Sequence, residues 1–207
     1  GVAFEFRYRA GPMRAFWDLG FFYGSVVVAF VQGAAIGGLM RGIPVENGQY
    51  AGGSFSWLHP FPILTGVGLV FGYALLGAGW LVLKNDGPLR DWARARISRL
   101  LLGVAVALGV AFAVALTVDL TDELARGAHQ ISGLVLLLPL VSAGALLGVW
   151  FAAKSHYDRL PFGLMVIFFI ATFATLAAMM WPYMIPYALT VADAAAPEAS
   201  LRFFSYG

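Results

Sequence analysis

From Phe61 to Leu83 the chain carries no charged side chain, and the run then stops abruptly at Lys84-Asn85-Asp86-Gly87-Pro88. A helix needs about 20 apolar residues to cross the hydrocarbon of a bilayer, and this run is long enough with some tilt. Gly66, Gly68, Gly72, Gly77 and Gly79 lie inside it. Glycine weakens a helix in water, whereas in lipid it lets neighbouring backbones approach closely, and Gly68-xxx-Gly72 has the spacing for that contact. The run predicts a membrane helix that packs against other helices.

Composition agrees. Hydrophobic residues make up 60% of the 207 and charged residues only 12%, against about 25% charged in soluble domains. There is no cysteine, which removes disulfides, iron–sulfur ligation, thiolate-ligated haem and cysteine zinc sites. A net charge of +2 is too small and scattered to suggest nucleic acid. Five apolar runs, 16–40, 61–83, 100–118, 134–153 and 160–181, predict an all-α fold. The expected architecture is a polytopic transmembrane helix bundle with five membrane-spanning helices, residues 1–207 forming a single integral membrane domain.

The connectors set the orientation, because cytoplasmic loops collect Lys and Arg. One side gathers Arg7, Arg9, Arg14, Lys84, Arg90, Arg94, Arg96, Arg99, Lys154 and Arg159; the other has Arg41, Arg126 and Arg202. The first side is therefore expected to face the cytoplasm, so that the chain starts inside, crosses five times and ends outside. No signal peptide is visible at the N-terminus. Residues 85–99, containing DWARARISR, are expected to form a short basic helix start along the inner headgroups, a topology signal rather than a lipid or nucleotide site. Residues 41–59 are expected to form an ordered external loop. Trp57, Trp181, Tyr183 and Tyr187 lie near the outer boundaries, where amphipathic rings favour the interface. Glycine pairs at Gly20/Gly24, Gly33/Gly37, Gly68/Gly72 and Gly144/Gly148 give close-packing faces on three helices, for contacts within the bundle or with a partner.

Three passages carry a family resemblance. They are GYALLGAGWLVLKNDGPL, then GVAFEFRYRA with FWDLGFFYGSVVVAFVQGAAIGG, and PYMIPYALTVADAAAPEASLRFF. In family order along the whole chain, they resemble subunit II of the cytochrome bd-type quinol oxidases, including the cyanide-insensitive branch. Beside that family the chain reads as a piece lacking the first helices and the last one. The resemblance implies a haem-free subunit in the bacterial plasma (inner) membrane. Its partner would be a haem-binding subunit I carrying haems b and d, with small accessory subunits possible. Ubiquinol or menaquinol would be the substrate of the complex, and dioxygen would be reduced to water in the respiratory chain. No cofactor is expected on this chain itself; lipids and quinone surround it, and no nucleic acid is involved.

Two residues are candidates for a proton path. Asp18 sits at the start of the first run; a charge at mid-membrane costs roughly 2.5 kcal/mol or more, so acids within spans usually line water or a proton route. Within the first turn an acid also complements the helix dipole by about 0.3–1 kcal/mol, and that reading comes first. The resemblance raises the second, because subunit II is thought to contribute acids to proton delivery from the cytoplasm; the acids usually associated with that route belong to N-terminal helices absent here. Gln32, midway along the same run, is expected to be buried and to bond across helices, worth about 0.6–2 kcal/mol, with a polar relay as the lesser role. Tyr23, Ser25, Thr65 and Tyr73 are weaker versions.

His59, His129 and His156 all fall at boundaries or in connectors rather than within spans, where an axial haem ligand would project. Asp119, Asp122, Glu123, Arg126 and His129 are too loosely spaced for a metal motif and read as a solvated outer loop. Asp193 is read as a helix cap. No phosphate loop, nucleophile elbow or zinc signature occurs. Two other functions stay open: a secondary membrane transporter and a structural membrane assembly protein. Transporters usually break helices near the midplane and place charge there, whereas here only Pro139 is internal to a span and the charges avoid the spans.

Overall fold

The computed structural model describes residues 11–42, 45–46, 49–53, 55, 58–117, 133–155, 157–185 and 189–195. Five long helices dominate it: α1 Arg14–Met40, α2 Pro60–Lys84, α3 Pro88–Thr117, α4 Gly133–Lys154 and α5 Arg159–Met180. A 3-10 turn, Gly11–Met13, leads into α1. Two small antiparallel pairs lie in connectors, β1 Val45–Glu46 with β2 Gln49–Tyr50 and β3 Tyr183–Ile185 with β4 Leu189–Thr190. A last turn, α6, spans Val191–Ala194. The chain is an all-α polytopic membrane bundle, and α1, α2, α4 and α5 are each long and apolar enough to cross a bilayer.

The expected runs match the observed helices closely, with one correction. The basic segment before residue 100 does not form a separate element along the headgroups. It is the opening of α3, which runs unbroken from Pro88 to Thr117. Thirty residues at helical rise give about 45 Å, longer than the roughly 30 Å hydrocarbon core, but α3, the expected third span, is not among the four described helices apolar enough to cross. Pro88 opens the helix with φ already helical and no N–H to satisfy. Gly87 before it has φ +69°, a left-handed conformation that glycine adopts freely and that turns the chain sharply between α2 and α3. Asn85 closes α2, its backbone and side-chain N–H groups both donating to the Leu81 carbonyl at 3.1 Å.

α2 is the centre. It packs against α1, α3 and α5, while α4 packs on α5 and more lightly on α3. The buried core gathers Leu75, Ala78 and Val82 of α2, Ile97 and Val104 of α3, Val149 of α4, and Met165 and Phe168 of α5. It lies in the half of the bundle nearest the 85–87 and 155–158 connectors. In the opposite half, α1 meets α2 through backbone. A methyl on Gly33 would stand 2.6 Å from the Thr65 carbonyl oxygen and 2.8 Å from Gly66 Cα, and one on Gly37 would stand 2.9 Å from Pro62 Cα. That closeness lets Thr65 Oγ1 donate to the Gly33 carbonyl across the helices at 2.8 Å. Gly72 and Gly79 of α2 make room in the same way for Phe169 and Met165 of α5. Ser142 of α4 and Thr172 of α5 share a hydroxyl hydrogen bond of 2.7 Å.

The four glycine pairs therefore differ in use. Gly33/Gly37 forms a true seam; Gly68 and Gly72 serve two different neighbours, Ala107 and Phe169; Gly148 meets Leu164 while Gly144 is open; and Gly20 and Gly24 have nothing near them. We expect Gly33→Ala to destabilise the detergent-solubilised protein by about 1–3 kcal/mol, the cost of overpacking. Gly24→Ala, read in the same thermal unfolding assay, should be neutral.

Candidate functional site

Asp18 and Gln32 both lie on α1, and the structure corrects how each is held. Asp18 is the fifth residue of the helix, one position beyond its first turn, which holds no acid. The dipole effect fades within the first turn, so it accounts for Asp18 less well than the sequence suggested. Gln32 is exposed rather than buried, because the face of α1 that α2 covers is the one holding Ala29, Gly33, Ala34 and Gly37. It still bonds across helices: Tyr73 Oη of α2 donates to Gln32 Oε1 at 3.2 Å. Tyr73 in turn stacks on Phe169 of α5, centroids 5.9 Å apart and planes at 22°.

Asp18, Ser25 and Gln32 are seven residues apart in turn. On an α-helix each step of seven leaves the side chains about 20° apart around the axis and about 10 Å apart along it. One exposed stripe of α1 thus carries three polar groups from the helix start to its middle. The Ser25 hydroxyl donates to the Phe21 carbonyl at 2.8 Å, a back-bond that leaves its oxygen able to accept. Tyr23 is exposed and edge-on to Phe22.

A second polar assembly, which spacing did not reveal, ties together the connectors at the basic end. Asp158, between α4 and α5, receives Arg90 Nη1 at 3.2 Å and pairs with Arg94 Nη2, both from α3. Arg94 Nη1 also donates to the Ser155 carbonyl at 2.5 Å. The two connectors therefore lie at the same end of the bundle, as the charge count required. Around them Lys84, Arg90, Arg94, Arg96, Arg99, Lys154 and Arg159 stand against Asp86, Asp91 and Asp158, seven cations to three carboxylates.

Three of these cations lie over tryptophans four residues earlier: Lys84 over Trp80 at 5.3 Å, Arg96 over Trp92 at 3.6 Å and Lys154 over Trp150 at 3.7 Å. All three rings are exposed. An amphipathic ring beside a cation suits the headgroup level, so this end carries an aromatic girdle. The sequence places such rings only at the other end, where Trp181 is exposed and Tyr183 half-buried; Trp57 and Tyr187 lie outside the described residues.

The histidines and methionines sit as follows. His59 is the exposed residue before Pro60, in extended conformation at the mouth of α2. Met165, the buried methionine, has its sulfur packed over Gly79. No group of three or more His, Cys, Asp or Glu side chains gathers among the described residues. His129, His156 and the cluster Asp119, Asp122, Glu123 and Arg126 lie outside them. Asp193 is the third residue of α6.

We expect Asp158→Asn to cost about 2 kcal/mol, since its two ion pairs are half-buried and even fully exposed pairs contribute up to about 1 kcal/mol each. The loss should shrink at high salt. Arg94→Ala should cost more, because the Ser155 bond goes as well; thermal unfolding at two salt concentrations reads both.

Comparison with known proteins places this geometry. Residues 1–207 match the family of cytochrome bd terminal oxidase subunit II. The cytochrome bd ubiquinol oxidase subunit 2 of Bacillus subtilis is 28% identical over 99% of this chain and 62% of its own length. The cytochrome bd-I ubiquinol oxidase subunit 2 of Escherichia coli K12 is 34% identical over 52% of this chain and 31% of its own length. A Haemophilus influenzae protein named "Probable cytochrome oxidase subunit 2" is 37% identical over 45% of this chain and 26% of its own. The chain thus spans less than two thirds of each relative. With the match running from first residue to last, the chain belongs to the cytochrome bd terminal oxidase subunit II family.

Proposed function

We propose that this chain is part of the haem-free subunit of a quinol:oxygen oxidoreductase, packed beside a haem-bearing subunit in a bacterial plasma membrane. The observation that carries the reading is the family match over the whole chain. The quinol, the haems and dioxygen are assigned to the complex.

Two roles fall to the chain's own residues. The first is scaffolding, through the glycine seams of α2 and the arginine clamp on Asp158. The second is an auxiliary part in proton delivery from the cytoplasm. Asp18 would collect protons at the basic end, and the stripe Asp18, Ser25, Gln32 would extend polar contact to mid-membrane. The spacing of about 10 Å between members exceeds a hydrogen bond, so protons would pass by intervening water or partner groups. The excess of cations around the 85–87 and 155–158 connectors supports a cytoplasmic position for that end, with residue 1 inside and residue 207 in the periplasm.

Purified full-length protein should bring a haem-rich partner with a reduced-minus-oxidised visible spectrum. A colourless protein that purifies alone and moves a solute in vesicles would contradict the reading. Asp18→Asn should lower oxygen consumption by less than about tenfold with haem content intact, short of the roughly 100-fold loss for an obligatory acid–base group. Unchanged turnover at every pH would remove Asp18 from the route.

A further inference from the structure

A groove of about 730 Å³ runs along the start of α5, with Tyr157, Asp158 and Arg159 at its mouth and Leu160, Gly163, Leu164 and Ile167 along its wall. We propose that it holds one anionic phospholipid, the phosphate at Arg159 and Tyr157 and an acyl chain along the apolar wall.

Its chemistry is split by depth. The polar residues are three consecutive positions where the connector enters the helix, and the apolar ones follow at helical spacing on a single face. The carboxylate at the mouth does not oppose an anion, because both Asp158 oxygens are already engaged by Arg90 and Arg94. Arg159 is exposed and has no ion pair among the described residues. Tyr157 is 71% exposed, so its hydroxyl is available to donate. The wall is open at Gly163, where a methyl would meet nothing within 4 Å; a chain can lie against the backbone there.

Depth is fixed independently. Lys154 over Trp150 lies one turn before the connector that forms the mouth, and the Trp80 and Trp92 pairs belong to the same end. The mouth therefore sits at headgroup level and the wall below it, in hydrocarbon. Seven cations to three carboxylates around the connectors favour an anionic over a zwitterionic headgroup. A free phosphate ion would match the mouth but leave the wall uncovered. The lipid alone matches both.

The full-length subunit, purified with whatever partners it carries, is reconstituted in phosphatidylcholine nanodiscs containing a few per cent of photo-crosslinkable dioleoyl phosphatidylglycerol. Crosslinked lipid is mapped to peptides. Wild type should concentrate the probe on the peptide holding residues 157–167. Arg159→Gln should lower that yield about fivefold, the effect of one arginine near a membrane surface, and Arg159→Lys should restore most of it. Gly163→Leu should lower it with the charge unchanged, whereas Gly77→Leu, at an equally open glycine on α2, should not. Equal crosslinking of phosphatidylcholine and phosphatidylglycerol probes, or yields untouched by Arg159→Gln and Gly163→Leu, would show only passing annular lipid and overturn the site. Competition by inorganic phosphate alone would point to an ion site and overturn it too.

Discussion

Hydrocarbon offers a peptide group nothing to bond with, so a chain this apolar must close its hydrogen bonds inside helices before it can enter the bilayer. Once it has done so, there is little hydrophobic drive left to bring those helices together, because lipid tails solvate leucine as well as another helix does. Association then depends on how close two backbones can come. In this chain the closeness is concentrated on α2. Its partners reach it where glycine removes the side chain, at Gly33 and Gly37 of α1, at Gly72 and Gly79 under α5, and at Gly103 of α3 beneath Phe71. The hydrogen bond from Thr65 to the Gly33 carbonyl follows from that proximity.

At the basic end the logic changes, because water and headgroups are present. The first turns of α3 carry arginines that would be costly in hydrocarbon. Two of them fold back onto Asp158, fixing the α4–α5 connector to the α2–α3 connector. The result is a bundle held by backbone proximity at one end and by core packing with ion pairs at the other. α1 joins only the first of these. Its opening half, from Phe16 to Val28, is largely exposed, and this half carries Asp18 and Ser25 of the polar stripe.

Much of this was legible in the residues. Apolar runs bounded by charge, proline and glycine locate the helices to within a residue or two, save that α3 begins twelve residues before its apolar part. Arginine is a good helix former, and nothing between Pro88 and Arg99 breaks the pattern, so the helix simply continues. The β1–β2 pair also had a signal, since Asn47-Gly48 between Glu46 and Gln49 is the dipeptide that favours tight hairpins. The tryptophan–cation pairs at i, i+4 could have been read in the same way. The clamp could not: Arg94 and Asp158 are 64 residues apart, and which arginine meets which carboxylate depends on packing. Gln32 shows the opposite limit. Its place in a span was clear, but whether it faced a neighbour depended on the rotation of α1, which Gly33 and Gly37 decide by turning their own face to α2.

The topology proposed above has the helices threading the bilayer with the arginine-rich connectors on the cytoplasmic side. With no cysteine among these 207 residues, single substitutions test it directly. Asp86→Cys, Ala51→Cys and Ala195→Cys all fall at exposed positions and can be treated with a membrane-impermeant maleimide in spheroplasts. Positions 51 and 195 should label in intact spheroplasts and position 86 only after permeabilisation. Labelling of positions 86 and 51 from the same side would contradict it.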